Sequence, residues 1–569
     1  MRVIVMQFKE KKHKTYPANE LRYLSLGGAG DVNKNMHLYE YNGQILVVDC
    51  GIDFPDSDMP GVEIVLPDFS YLFERRNNVL GVVITHGHED HFGALPYFLE
   101  DLHVPVYASK LVAGFIKAKL EDFNLHDRDI RVLDPEKDSV TLGPFKISPF
   151  RINHSVPDST ALCIETPVGK IFHVADFKFD WTPVMDKPFD VARMLTLADG
   201  RPLALFTDSL GASTDGYTRS EMEIGGEFFN IFSQAKRQIF LTTISSNISR
   251  MQQAINVAEK LGRRVCFLGR SIERNTLVAG RLGYLHLVKK TWIKAEQAMD
   301  FPQSQILYIV TGCYGQPNSV LAKLARRDYR FVSILPGASV VFSGDPAPPG
   351  AKEHVDSLVD RLTGLGADVY YYDTQENLHT SGHGSRGDLL MLASLLSPRY
   401  FIPIGGTLRH AQAYTKMVEP LGVHPEDVFK MEAGQFLRFT SGQKALRGEK
   451  IPLTGVYVDS SGVEDLGGKI MRDRQLLAND GVLVVSVVLK DGFTPVKVEA
   501  LSRGFTQEDR GEALFAKVET EVKRFFAENE PLVRSNRTEA IRCLRKELMK
   551  FVSRQTLRHP LVLPVILDI

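Results

Sequence analysis

From Leu21 to about Ser209 the apolar positions fall in short β-like runs separated by Gly, Pro, Asn and Asp. Ile45–Val48, Val82–Thr85, Lys146–Ile152, Ala161–Thr166 and Lys170–Val174 read as strands. Pro167-Val168-Gly169 reads as a hairpin turn between the last two. The mixed-polarity stretches Leu95–Leu102 and Leu111–Phe123 suit helices, so this part predicts a layered α/β sandwich. From about Thr218 strands and helices alternate: strand Gln238–Thr243, helix Ile248–Leu261, then strands Arg264–Leu268, Gln305–Thr311 and Ser339–Phe342. A Pro/Gly-rich stretch, Asp345–Gly350, leaves this region. It is followed by a strand Ala367–Tyr372, a polar run Asn377–Gly384 and a helix from Asp388. Ser441–Lys450 is polar and reads as a linker. The remainder, Ile451–Ile569, predicts strands Val482–Leu489 and Leu561–Leu567 and helices Glu512–Glu528 and Arg537–Arg554.

At 569 residues the chain calls for several domains, and 44% apolar with 24% charged residues is a globular balance. The longest apolar run, near Leu389–Leu396, is far too short to span a membrane, and Met1–Thr15 carries Lys and His where a signal peptide needs an apolar stretch. A cytoplasmic location is therefore expected, with the Lys9–Lys14 run a solvated terminus. The net charge of −1 means that any polyanion site is a local basic patch. The cysteines are scattered without a C-x-x-C pair, so a bound metal must be held by His and carboxylates.

The sharpest signal is Thr85-His86-Gly87-His88-Glu89-Asp90-His91, directly after the strand Val82–Ile84. Imidazoles spaced this closely rarely serve packing. His86 and His88 can converge on one ion, while Asp90 and His91 face a second. His154 and Asp176 follow predicted strands. Alone, the first reads as a loop or core histidine and the second as a turn aspartate; beside the cluster both read as ligands, with Asp176 bridging. Two such ions would activate water and stabilise phosphoryl oxygens. Asp49 and Asp208 end strands, where each could orient a ligand histidine or simply cap the strand. The polar strand ends Ser245-Ser246-Asn247, Gly269-Arg270-Ser271, Thr311-Gly312 and Ser343-Gly344 read either as ordinary turns or, together, as phosphate contacts. Gly27-Gly28-Ala29-Gly30 lacks the spacing of a nucleotide loop and reads as a tight hairpin turn. Phe177, Phe179 and Trp181 are core residues or base-stacking ones.

The His86–His91 cluster, Asn153-His154-Ser155-Val156-Pro157-Asp158-Ser159 and Asp176-Phe177-Lys178 together resemble ribonuclease J, a family of metallo-β-lactamase-fold nucleases of the β-CASP group. Ser246-Asn247 with Arg250 and Gln252-Gln253, Gly269-Arg270-Ser271, Thr311-Gly312, and His379-Thr380-Ser381-Gly382-His383 extend the match. So do Arg472-Asp473-Arg474 and Ser502-Arg503-Gly504-Phe505.

The resemblance implies an αββα metallo-β-lactamase sandwich with an inserted β-CASP parallel-sheet domain and a small α/β C-terminal domain. In this sequence these are residues 1–217 and 373–445 for the sandwich, 218–372 for the insert, a linker 446–452 and a last domain 453–569. It implies RNA as substrate, cut endonucleolytically and from the 5′ end with a preference for 5′-monophosphate, in RNA processing and decay. By position, His86, His88 and His154 would hold one ion, and Asp90, His91 and Asp176 the other. His383 would give a proton to the leaving oxygen, and His379, Ser381 and Gly382 would meet phosphate. Zn²⁺ is the expected ion. A homodimer or homotetramer through the C-terminal domain is implied, with paralogous nucleases or RNA-decay proteins as further partners.

Three departures stand out. Gly405, in Ile404-Gly405-Gly406-Thr407, occupies the place of a further second-ion histidine, leaving water, Thr407 or His410 to fill in. That loss favours Mn²⁺ or Mg²⁺ at the second position. Thr311-Gly312-Cys313-Tyr314-Gly315-Gln316 and Gly344-Asp345 also depart from the family pattern. Two readings follow: an active enzyme with an altered metal site, or a weakened RNA-binding scaffold. Action on DNA is a further alternative, since RNA rests on the resemblance alone. An insert of roughly 150 residues suits an extended substrate better than a small molecule.

Overall fold

The computed structural model describes residues 19–56, 58–344, 351–459, 462–464, 468–505 and 508–569. Lys9–Lys14 and Asp345–Gly350 lie outside the described residues. The chain divides into two compact units: Val65–Thr454 with the described residues up to Phe54, and Pro55–Ile64 with Gly455–Ile569.

The larger unit is built on two mixed sheets. One has eight strands in the order Ala445–Lys450, Gln435–Phe439, Leu21–Gly27, Met36–Tyr41, Gln44–Val48, Val79–Val83, Val106–Ala108 and Ile130–Val132. The other has six: Tyr400–Ile404, Ala204–Asp208, Lys170–Val174, Thr160–Glu165, Phe145–Arg151 and Val140–Leu142. Their inner faces share one core, in which Tyr23, Tyr39, Leu46 and Val83 meet Ile147, Leu162, Ile171, Phe206 and Ile402. Outer-face residues of the six-stranded sheet, Phe150, Cys163, Phe172 and Phe401, pack on helices through Met194, Leu389, Leu392 and Tyr414. Period-2 strands with both faces buried require this helix cover, and the result is the αββα sandwich.

Between Ala204–Asp208 and its parallel neighbour Tyr400–Ile404 the chain leaves to build a separate sheet. That sheet has the order Arg264–Leu268, Ile306–Val310, Ile239–Thr242, Ser339–Phe342 and Asp368–Tyr370, with every pairing parallel. Its near-continuous apolar strands are buried by flanking helices, as a parallel sheet demands. The smaller unit packs a three-stranded sheet (Thr494–Arg503, Val482–Lys490, Leu561–Asp568) on helices Glu508–Glu528 and Arg537–Thr556 through Leu483, Val485, Val487, Val522 and Leu548. No helix among the described residues is long and apolar enough to cross a membrane.

Two local expectations change. Ala445–Lys450, read as linker, is an antiparallel edge strand beside Gln435–Phe439. An edge strand is held by backbone pairing, and its charged side chains leave no burial pattern to detect. The Gly27–Gly30 run is not a tight hairpin turn: it opens a connection, residues 28–35, between antiparallel strands. The Gly28 carbonyl there accepts from Gly405 N at 2.8 Å.

Candidate metal centre

Strand adjacency explains why distant residues meet. Gln44–Val48 and Val79–Val83 are parallel neighbours, so Asp49 and the loop Thr85–His91 emerge side by side. In the facing sheet Lys170–Val174, Ala204–Asp208 and Tyr400–Ile404 are consecutive parallel strands, with Val174 opposite Thr207 and Asp208 opposite Ile404. Their carboxyl ends therefore deliver Asp176, Asp208 and Gly405 to one rim. His154 lies in the connection between the antiparallel strands Phe145–Arg151 and Thr160–Glu165, which is tied to the histidine loop by Thr160 N donating to Thr85 O at 2.9 Å.

Asp49, fully buried and in the left-handed region at φ 63°, holds the histidine loop in shape. Its carboxylate accepts from Thr85 N and Thr85 Oγ1, each at 2.8 Å, and lies 2.8 Å from His91 Nδ1. The ring of His91 is thereby fixed with Nε2 toward Asp176 Oδ2, 3.3 Å away. Around that one oxygen stand three further imidazole nitrogens: His86 Nε2 at 3.7 Å, His154 Nε2 at 3.9 Å and His383 Nε2 at 3.9 Å. His88 Nδ1 lies 3.1 Å from His154 Nε2, and Ser155 Oγ lies 2.9 Å from His88 Nε2. His154 Nδ1 donates to the Gly382 carbonyl at 2.7 Å, which leaves its Nε2 lone pair facing inward. The approach requires glycine, since a Cβ at Gly382 would stand 2.6 Å from His154 Cε1.

Among the described residues, three overlapping sets could hold a cation: His86, His88, His154 and Asp176; Asp90, His91 and Asp176; and Asp176, Asp208 and His383. Within each set the ligand atoms lie within 4.8 Å of one another. His86 Nε2 is buried with no hydrogen-bond partner although it faces the others, an arrangement that a cation would satisfy.

The electrostatics agree. Burial and neighbouring imidazoles keep His86 and His154 well below the usual histidine range, and burial takes His88 down to about 3. Neutral imidazoles of this kind are what a metal needs as ligands. Burial, then the Asp176 charge, raises Asp90 to about 6, although His91 opposes the shift. Burial also raises Asp176, but the charges of His91, His383 and His86 outweigh it and hold that carboxyl well below its normal range. For His383, burial is outweighed by Asp208, Asp176 and Asp90, which push the ring up to about 9.

His383 Nδ1 lies 2.8 Å from Asp208 Oδ2, repeating the His91–Asp49 pairing on the opposite sheet. Its backbone N–H donates to Ser381 Oγ at 3.0 Å, and its carbonyl accepts from Thr218 Oγ1 at 2.8 Å. His379 sits beside Arg250, which lies 3.4 Å from His379 Nδ1, and burial with that guanidinium holds it well below the usual range. Gly405, at φ 60°, borders the pocket: a Cβ there would lie 3.4 Å from Asp176 Oδ1 and 3.5 Å from Asp208 Oδ1. His410 does not enter the gap; its Nδ1 lies 3.2 Å from Thr407 N, closing the start of helix Leu408–Val418.

The strand ends of the insert divide differently. Asn247 Oδ1 accepts from Arg250 N at 2.9 Å and caps helix Ile248–Lys260, and Ser246 is buried beside it. Arg270 is exposed at the start of helix Arg270–Leu282, with Ser271 partly so. Arg250 is fully buried and joins the insert to the His379–His383 loop. It bonds Glu221 through two nitrogens at 2.5 and 2.9 Å, Ser343 Oγ at 2.8 Å and the Thr380 carbonyl at 3.4 Å. Asn35, whose Nδ2 lies 3.1 Å from His91 Nε2, had no sequence signal of its own, and Ser155 entered only as one residue of the Asn153–Ser159 run. Phe177 and Phe179 are core, whereas Trp181, stacked on Phe179, is exposed.

Comparison with known proteins gives a consistent picture. Family models match as follows: "Metallo-beta-lactamase superfamily" over residues 29–221, "Ribonuclease J, beta-CASP domain" over 236–362, "Zn-dependent metallo-hydrolase RNA specificity domain" over 372–429, and "Ribonuclease J C-terminal domain" over 469–569. The chain is 36% identical to Ribonuclease J of Thermus thermophilus, covering 97% of this chain and 96% of that one. It is 32% identical to Ribonuclease J2 of Bacillus subtilis, covering 96% and 99%. A crystal structure of a protein of unknown function from Enterococcus faecalis shares the fold at 14% identity and a TM-score of 0.50, covering 73% of this chain and 99% of that chain.

Proposed function

The chain belongs to the ribonuclease J family and is a metal-dependent ribonuclease, and we propose how its residues divide the work. His86, His88, His154 and Asp176 hold one divalent ion, Zn²⁺ by the nitrogen-rich donor set. Asp90, His91 and the shared Asp176 hold the second, where more oxygen donors favour Mn²⁺ or Mg²⁺. The ion pair supplies water activation and neutralises charge on the phosphoryl oxygens. Asp49 fixes His91, and Asp208 fixes His383. His383 keeps a proton at the cleft, ready for the departing 3′ oxygen. His379, Ser381 and Gly382 lie on the loop that faces the centre and would meet phosphate, while the exposed Arg270 and its neighbour Ser271 extend the track along the insert. Ser246 and Asn247 shape that track from within.

The observation that carries this reading is the convergence of four imidazole Nε2 atoms on one Asp176 oxygen. RNA is cut both internally and from the 5′ end, with a 5′-monophosphate preferred, in cytoplasmic RNA processing and decay. The test uses 5′-labelled monophosphorylated RNA, triphosphorylated RNA and matched DNA with Mn²⁺, Mg²⁺ or Zn²⁺. Processive release of mononucleotides from the first substrate, lost in a His88→Ala/Asp90→Ala variant, is the expected result. RNA binding without turnover would favour the scaffold reading, which the missing side chain at Gly405 motivates. DNA cleavage matching RNA would overturn the substrate choice.

The smaller unit supports self-association as a homodimer or homotetramer. The face of its sheet turned away from the helices exposes Leu501, Leu563, Val565 and Leu567, an apolar row that a second copy would cover. Paralogous nucleases or RNA-decay proteins are the further partners in this reading. Sedimentation of a Val565→Lys variant tests it, a monomer being the expected outcome.

A further inference from the structure

We infer that the insert takes part in holding the metal centre, through Glu89: its carboxylate, gripped by Lys119 of the sandwich and Arg274 of the insert, positions the ligands His88 and Asp90 on either side of it. The inference rests on the metal-centre reading above and adds a positioning residue to it.

Glu89 stands inside the ligand cluster yet belongs to none of the three cation sets. Its backbone is fixed from one side, where the carbonyl accepts from Ile52 N at 3.1 Å and from Gly93 N at 2.7 Å. Position 93 requires glycine, because a Cβ there would stand 2.3 Å from that carbonyl oxygen. Its side chain is fixed from the other. Glu89 Oε2 accepts from Lys119 Nζ on helix Lys110–Asp122, and Glu89 Oε1 lies 3.6 Å from Arg274 Nη2 on the insert helix Arg270–Leu282. Both cations are mostly buried, so this group is screened less than a surface pair would be. His88 and Asp90 are the chain neighbours of Glu89, so a shift of this residue moves one ligand of each main cation set.

The insert helix is itself a fixed reference. It packs on helix Lys110–Asp122 so closely that a Cβ at Gly114 would stand 2.7 Å from Leu282 Cδ1 and 2.8 Å from Val278 Cγ1. Lys110 Nζ donates to the Leu282 carbonyl at 3.3 Å, and Arg274 Nη1 donates to Asp122 Oδ2 at 2.7 Å. Just past the end of the helix, the Tyr284 hydroxyl is hydrogen-bonded to Asp158. Asp158, buried and in the left-handed region at φ 65°, lies in the connection that carries His154. Its carboxylate also accepts from Leu111 N at 2.9 Å and from Arg151 Nη1 at 3.3 Å. One insert helix therefore touches both segments that bring the first ion's histidines, through Arg274 near its start and through Tyr284 beyond its end. Residues that lock ligands in place keep such a centre in its productive geometry, where a displacement of about 1 Å costs about 100-fold in rate.

Metal binding and turnover by the full chain test the inference together. Mn²⁺ affinity is read by calorimetry on the chelator-treated protein, and kcat and KM by cleavage of 5′-monophosphorylated RNA. Arg274→Met and Glu89→Ala should each weaken Mn²⁺ binding and lower kcat by about tenfold, with KM nearly unchanged. The double variant should fall no further than Glu89→Ala alone, because Arg274→Met breaks a contact that Glu89→Ala has already removed. Arg274→Lys, which keeps the charge, should recover most of the loss. Asp122→Asn should behave as wild type, since that largely exposed carboxylate pairs with Arg274 without reaching the loop. A brace that serves only the fold would lower the unfolding midpoint and leave affinity and kcat where they are. An Arg274 that serves only to hold RNA would raise KM instead. Either outcome would overturn the inference, as would losses that simply add. His88→Ala separates it from the broader reading: if that variant binds the same number of ions with unchanged affinity, the metal centre itself is wrong. If it loses them while Arg274→Met and Glu89→Ala keep wild-type affinity and kcat, only the role of Glu89 falls.

Discussion

The loop Thr85–His91 and the turn Ser245–Asn247 are built to the same plan, each following a buried parallel strand and leading into a helix. They differ in what their polar atoms do. Asn247 Oδ1 caps its own helix, the Ser245 carbonyl accepts from Asn275 Nδ2 at 3.0 Å, and Ser249 Oγ donates to Val184 O at 2.7 Å. Every one of these groups is answered from within the fold. In the histidine loop the outward nitrogens of His91 and His86 are fixed by Asp49 and Thr85, as Gly382 fixes that of the neighbouring His154, while the inward nitrogens crowd around one carboxylate and His86 Nε2 has no partner. Buried donors and acceptors are almost always paired, so a pocket that leaves them aimed at a common point is shaped for something else. The turn's polar atoms are spent on the fold, whereas the loop's are arranged as a cation would need them.

The largest effect should come from Asp176→Ala, because this residue belongs to all three cation sets. RNA cleavage should fall by on the order of 10⁴-fold, the scale felt when one member of a cooperating set is removed. Elemental analysis should show both ions diminished; retention of both would end the bridging role. Next in size is Arg250→Met, which leaves Glu221 buried without its cation. Removing one partner of a buried pair costs about 3–5 kcal/mol, so denaturant unfolding should shift by that order. If stability held and only cleavage declined, Arg250 would belong with the site rather than with the scaffold.

How much of this was readable in the residues follows from the same contrast. The histidine loop was legible because its ligands are adjacent in sequence, and His154 and Asp176 because each ends a strand. The row Asp176, Asp208 and Gly405 was not, because parallel strand order depends on connections that local periodicity does not record. Asn35 and Ser155 are single polar residues whose importance comes only from the imidazoles they face. Ala445–Lys450 escaped because an edge strand with charged side chains has no buried face to betray it. For Asn247 the same letters suit a phosphate contact or a helix cap, and the structure shows the cap, with Oδ1 accepting from Arg250 N.

Asp49→Asn sharpens the comparison further. Asparagine tolerates the left-handed backbone at φ 63°, so the loop should keep its course while the His91 ring loses its charged partner. Metal affinity at the second position should fall by about 10–100-fold with little change at the first, as read by competitive titration. Equal weakening of both ions would mean that Asp49 holds the whole loop through Thr85 rather than orienting His91.

The smallest effect is expected at Asn247→Ala, and it is the most direct attempt to break the comparison. Losing the cap exposes one helix N–H and should cost about 1 kcal/mol of stability. Phosphate binding makes a different demand: it would leave stability nearly unchanged and weaken RNA affinity in a salt-dependent way. The two outcomes are separated by measuring unfolding and RNA binding on the same preparation at two salt concentrations, beside Arg270→Ala. Because Arg270 is exposed while the Asn247 oxygen already has a donor, the salt-sensitive loss should appear in the first variant and the stability loss in the second. A salt-sensitive loss in Asn247→Ala at full stability would show that the turn reaches the substrate after all, and that an internally satisfied polar atom can still belong to a site.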